Sequence, residues 1–279
     1  HCNILELLYS DSKHLITEDD FIKAFNKVIK KEDKVIVLYS GLWSFIFNIR
    51  FKDKNISKKL LELIENLISK ERTLLLPAFS GEEFINKKKF HLDKSIDRNG
   101  LLPAEALKSG KYYRTPQPLH SYLAIGKHVK EIKKLNLETS WGKNSLLQWL
   151  SEKNARMCVL GVPWSKGCSY LHRYEELNLV PWRYFKIFEG IMFKNGKKIG
   201  PCKEKKYSKF INLKYSLEPI IKEINKNKFL RYKNNKFFLE SITCNEIDIG
   251  SKKLFKKDPW KIVKNIKEVK EWIRSKKEI

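Results

Sequence analysis

His172 and Glu175, in the stretch SYLHRYEE (169–176), stand three residues apart and would share one face of a helix. An imidazole and a carboxylate in that register can act as an acid–base unit. The carboxylate fixes the tautomer and steadies the charged ring while the other nitrogen moves a proton. The same spacing also fits a histidine and a carboxylate on an ordinary surface helix, and spacing alone leaves both readings open. Glu176 points about 100° away from that face and reads as solvated. His120, in PLHSYLAIG, enters an apolar strand pattern beside Ser121. His91 and His128 read as solvated, and HLDKSID lacks metal-ligand spacing, so no metal is implied.

Five cysteines at irregular positions (Cys2, Cys158, Cys168, Cys202, Cys244), with no C-x-x-C pair, argue for reduced thiols in a cytoplasm. Cys158 sits in an apolar strand pattern and reads as core. Cys168 precedes the His172 stretch, but packing is the stronger reading there too. The longest apolar runs, VIVLYSGLW and TLLLPAFS, are strand-sized and too short to cross a bilayer. The N-terminus lacks the basic-then-apolar pattern of a signal peptide.

Lys and Arg total 57 against 32 Asp and Glu, a formal net charge of +25. Such a field suits a polyanion or a phosphorylated ligand such as a nucleotide or coenzyme A. The lysines are spread from end to end, and no arginine-rich stripe with interleaved aromatics appears. Nucleic acid is therefore not expected, and a basic protein binding nucleic acid or a membrane surface is the competing reading.

The elements that must position these residues follow from patterning. LITEDDFIKAFNKVI carries an N-cap signal at Thr17 and helical spacing of Phe21, Phe25 and Val28. KVIVLYS, RTLLLPAFS and ARMCVLGV read as buried strands, with ISKKLLELIENLIS an amphipathic helix between the first two. Residues 81–100 read as a long polar loop. GLLPAEALKSG and SLLQWLSEKN are short helices and SYLAIG a short strand. Beyond about 184 the chain turns β-rich: Asn195-Gly196 marks one hairpin, KFLRYKNNKFFLESI a second, and DPWKIVKNIKEVKEWIRSKK a closing helix. The expected fold is α/β, a central mixed sheet flanked by helices with a β-rich C-terminal portion. It forms one domain over 1–279, with a catalytic core at 17–190 and residues 191–279 packed on it. His172 then lies just past a strand's C-terminal end, where open α/β sheets place their ligand sites.

Four separated segments in order, DKVIVLYSGL, RTLLLPAFS, GLLPAEALKSGKYYRTPQPLHSYLAIG and ARMCVLGVPWSKGCSYLHRYEE, resemble the aminoglycoside 3-N-acetyltransferase (antibiotic N-acetyltransferase) family. The resemblance runs from about residue 17 to 190. It departs at Tyr39, where a His is usual, at Gly41 and Ala78, at Gln117 for the first His of a His-Pro-x-His-Ser element, and at Ser145. The Leu-His-x-x-Glu element is intact at Leu171, His172 and Glu175.

The resemblance implies acetyl transfer from acetyl-CoA to an amine, with His172 as general base and Glu175 as its orienter or as an anchor for the acceptor's ammonium. It places Ser40, Gly41, Arg114, Thr115, His120 and Ser121 at the coenzyme, Arg114 toward its phosphates. A +25 chain with an altered acceptor region suits an anionic acceptor, such as a nucleotide-linked amino sugar of surface-glycan biosynthesis. An aminoglycoside antibiotic is the alternative. A cytoplasmic monomer or homodimer with no metal completes the expectation.

Overall fold

The computed structural model describes residues 6–11, 14–42, 55–68, 70–94 and 100–277, so Cys2 and part of the 81–100 stretch lie outside it. A hairpin of β1 (Glu6–Asp11) and β2 (His14–Thr17) leads into α1 (Glu18–Val28). Thr17 and Asp20 close a capping box there, as the sequence predicts: Thr17 Oγ1 accepts the Asp20 N–H, and Asp20 accepts the Thr17 N–H at 3.0 Å. Then come β3 (Val35–Ser40), α2 (Ile56–Ile68) and β4 (Thr73–Pro77). Residues 81–94 are not an irregular loop: α3 (Gly81–Lys87) and β5 (Lys89–His91) fill them. Fully buried Phe84 and Phe90 hold both down against Leu119 and Phe188.

The chain continues through α4 (Leu101–Lys108), β6 (Tyr113–Arg114), β7 (Tyr122–Gly126), α5 (Val129–Ile132), α6 (Leu146–Glu152) and β8 (Arg156–Leu160). After α7 (Trp164–Gly167), a 3-10 turn (Ser169–His172) runs directly into α8 (Arg173–Leu177). A long hairpin of β9 (Arg183–Lys194) and β10 (Lys197–Lys209) follows, turned by Asn195 and Gly196 at φ 50° and 75°, a left-handed conformation that these two residues tolerate. The chain closes with α9 (Glu218–Glu223), β11 (Leu230–Asn234), β12 (Phe237–Thr243), α10 (Cys244–Lys257) and α11 (Ile266–Lys277).

The central sheet has seven strands in the order β11-β12-β8-β3-β4-β7-β6. β3 runs parallel to β4 and β8, while β7 and β12 pair antiparallel outside them. Successive side chains of β3 face opposite ways. Val35, Val37 and Tyr39 join a core with Met157, Trp149 and Trp182, whereas Ile36 and Leu38 join one with Phe21, Phe25 and Leu60. Both faces are thus covered, which is why these strands read as unbroken apolar runs. The second C-terminal hairpin enters this sheet through β12, while β9 and β10 form a separate three-stranded sheet with β5. α10 escaped prediction because small residues face its neighbour: a Cβ on Gly250 would lie 2.5 Å from Ile224.

Candidate active site

The parallel strands β3, β4 and β8 end at one edge of the sheet, and the 3-10 turn that carries His172 lies beyond that edge. His172 ends this turn and Glu175 lies in α8, so the pair meets across a junction of two helix types. His172 Nδ1 lies 2.6 Å from Glu175 Oε2. Glu175 is 0% exposed, and its other contacts explain how a buried carboxylate stays charged. Arg183 binds it in a fork, Nε to Oε1 and Nη2 to Oε2, each at 2.9 Å, and Trp182 Nε1–H donates to Oε1 at 2.9 Å. Burial opposes the charge, but the Arg183 guanidinium and the His172 bond outweigh it and hold the carboxyl down at about 2. An ionised carboxylate can only accept, so Nδ1 of His172 carries the proton and Nε2 presents a lone pair. Burial also lowers the His172 pKa, partly offset by Glu175, which keeps the ring neutral at neutral pH.

Two cavities meet at His172. One, of about 530 Å³, has walls from Phe79, His120, Trp141, Ser169, Tyr215 and Lys264, with Lys166 also on its rim. The other, of about 300 Å³, is lined by Trp141, His172, Arg183, Lys206, Ser208, Lys209 and Tyr215. Trp141 and Tyr215 also line both: the indole stacks on the imidazole at 4.8 Å, and Arg183 lies over the indole at 5.0 Å. Tyr215 meets His172 edge-on at 5.6 Å. The smaller cavity carries three cationic side chains and no carboxylate on its wall. The buried Ser208 hydroxyl there has no hydrogen-bond partner.

The remaining expected residues fall into different places. His120 lines the larger cavity, its Nδ1 2.7 Å from Glu204 Oε1. Arg114, expected toward coenzyme phosphates, is engaged within the fold. It is buried, donating to Ser121 Oγ and to the carbonyls of His91 and Ala78, because it pins β6 against the end of β4. Ser121 spends its hydroxyl on the Ala78 carbonyl, and Thr115 accepts the Tyr122 N–H, so neither reaches the cavity wall. Gly41 donates its N–H to the Leu160 carbonyl and packs on Val162; Ser40 beside it has a buried hydroxyl without a hydrogen-bond partner. At the family's usual His position, the Tyr39 hydroxyl lies in a buried cluster with Tyr122 and Ser169, at 3.0 and 3.1 Å.

Glu176, expected in solvent, is buried instead. It accepts the Trp141 N–H at 3.2 Å and packs on Gly142, where a Cβ would come 2.5 Å from its oxygen. It thereby fixes the loop that presents the indole. His128 is likewise engaged rather than solvated, its Nδ1 2.9 Å from Thr73 Oγ1. Sequence reasoning missed Trp141, Arg183, Glu204 and Tyr215. For Arg183 a signal existed, an arginine beside a tryptophan just past the His172 helix in a chain whose cations are mostly lysine. Cys168 is buried, and burial pushes its thiol up to about 12, which removes it as a nucleophile. Iodoacetamide at pH 8 is expected to leave Cys168 unlabelled in the native protein and to alkylate it in urea. Mass spectrometry reads the outcome, and rapid native labelling would contradict the burial.

The model of the family described as "Aminoglycoside 3-N-acetyltransferase" matches residues 53–241. The chain belongs to this acetyltransferase family. Solved structures support its fold at low identity. The protein is 15% identical to AAC-IIIb, solved as a binary complex with CoASH, at a TM-score of 0.68 over 87% of this chain and 97% of that one. A mutant of aminoglycoside acetyltransferase AAC(3)-IVa, in complex with gentamicin, gives 15%, 0.67, 88% and 90%. The YokD protein from Bacillus subtilis gives 14%, 0.65, 86% and 94%. A search of curated proteins finds no match. The family makes the protein an acyltransferase. The larger cavity reaches His172 and carries Lys166 and Lys264 on its wall, which suits an anionic substrate. Among the described residues no helix is long and apolar enough to cross a membrane, and no cluster of three metal-ligating side chains occurs.

Proposed function

We propose that the acetyltransferase acetylates the amine of an amino sugar, with a nucleotide-linked amino sugar of surface-glycan biosynthesis as the acceptor class. In this reading His172 is the general base and Glu175 its orienter. The observation that carries the chemistry is the 2.6 Å bond from His172 Nδ1 to a carboxylate kept ionised by Arg183. It aims a lone pair at the junction of two cavities, one for the thioester and one for the amine. A protonated amine cannot attack, so a proton must leave as the C–N bond forms, and a neutral imidazole suits that step.

The acceptor class rests on the smaller cavity. Lys206 and Lys209 stand on its wall beside Arg183, whose charge Glu175 takes up from behind, and the wall itself carries no carboxylate, which favours a phosphate-bearing amine over a polycation. The family match favours the second reading, an aminoglycoside antibiotic as acceptor. A thiol-release assay with acetyl-CoA separates them. Turnover with UDP- or dTDP-linked amino sugars and none with kanamycin is expected, and the reverse would establish the antibiotic. A cytoplasmic site of action goes with the first reading.

A further inference from the structure

A second histidine–carboxylate pair faces the larger cavity, assembled from residues 84 positions apart. Glu204 on β10 is 0% exposed and collects four hydrogen bonds around one imidazole. His120 Nδ1 lies 2.7 Å from Oε1, and the Ser140 hydroxyl donates to Oε1 at 2.6 Å. The backbone N–H groups of Leu119 and His120 donate to Oε2 at 2.8 and 3.2 Å. Burial opposes the Glu204 charge, but His120 and these donors hold its carboxyl below the usual range. An ionised acceptor assigns the proton to Nδ1, which leaves the Nε2 edge of His120 to the cavity.

Burying such a pair is a poor source of stability, because desolvation offsets most of the attraction. Its place on the cavity wall points to chemistry. The ring also shares a neighbour with His172: His120 meets the Trp141 indole edge-on at 5.5 Å, and His172 stacks on the same indole at 4.8 Å. The two imidazoles therefore flank one indole at the mouth of the cavity assigned to the thioester.

We propose that His120, in its doubly protonated form, donates the proton taken up by the departing coenzyme sulfur, as the acid counterpart of the His172 base. The amine lone pair forms the C–N bond and its proton passes to His172 Nε2. The C–S bond breaks with its electron pair moving to sulfur, which takes the proton from His120 Nε2. Solvent then accepts one proton from His172 and returns one to His120, leaving an amide and a free thiol. Glu204 is the positioning residue, its negative charge compensating the imidazolium. The step rests on acetyl-CoA as donor and on His172 as base.

Coenzyme A itself (CoASH) tests this without an acceptor, because the product complex runs the same proton transfer backwards. The charged and titratable groups around His120 are Glu204 on β10, His172 and Arg183 across Trp141, and Lys166 and Lys264 on the cavity wall. In the native protein, thiolate absorbance of bound CoASH is expected to rise about one pH unit or more below that of free CoASH. His120→Asn, whose amide nitrogen can still reach Glu204, is expected to abolish the shift. His172→Asn is expected to retain it. An unchanged titration in H120N, or loss of the shift in H172N alone, would overturn the assignment. Failure of CoASH to bind the native protein would instead remove the acetyl-CoA reading, and this step with it.

Discussion

His172→Asn is expected to lower kcat in the thiol-release assay by roughly 10²–10⁴-fold, the range for losing a positioned general base. The KM for acetyl-CoA should change little, because the imidazole acts on the amine's proton and not on the coenzyme's binding groups. Asparagine keeps a donor toward Glu175, so the buried carboxylate is not left bare and the fold survives. In the native protein the pH profile carries the same signature. Burial lowers the His172 pKa, and the ring is a base only when neutral. The acid limb of the kcat/KM profile should therefore rise through a pKa below the ordinary histidine value, and this limb should be absent in H172N. Native turnover in H172N would take His172 out of the mechanism.

The second large effect falls on stability. Arg183→Met leaves Glu175 buried with its main counter-charge gone, and breaking a buried pair from one side costs roughly 3–5 kcal/mol. Urea denaturation at pH 7 should show a loss of that size. Its pH dependence has a definite sign. The folded Glu175 carboxyl is held at about 2 against an ordinary 4.5, so its contribution is complete above the ordinary value and is lost as pH falls toward 2. In the variant the carboxyl rises, so the gap between native and variant should narrow between pH 7 and pH 4. Adding Glu175→Gln to Arg183→Met should recover part of the stability, since no uncompensated charge then remains. Equal stability of native protein and R183M at pH 7 would show that Arg183 is not what keeps this carboxylate buried.

Much of the sheet was legible because its signals are local. Unbroken apolar runs at 35–40, 73–77 and 156–160, Thr17 as a cap, and Asn195-Gly196 as a turn each report their own neighbourhood. The candidate site was half legible for the same reason: His172 and Glu175 are three residues apart. Arg183 lies eight residues beyond Glu175, while Glu204 reaches His120 only because a hairpin folds back over the cavity. No periodicity encodes such a meeting. Arg114, Thr115 and Ser121 illustrate the converse. Their polar types resemble ligand contacts, yet each spends its donors or acceptors on strand ends that the sheet leaves unsatisfied. Glu176 was misplaced by helix geometry alone, since α8 is a short segment packed on more than one side.

The β9–β10 hairpin supplies both charges that the two imidazoles depend on, Arg183 at its start and Glu204 in its second strand. During synthesis this imposes an order. The His172 segment is a 3-10 turn and a single short helix, too brief to hold alone, its carboxylate has no counter-ion until the next strand follows, and His120 waits longer still. A chain halted before Glu204 would also lack Tyr215 and Lys264 from the cleft wall and β12 from the sheet behind it. Acetyl transfer is thereby withheld from unfinished chains by the order in which residues emerge.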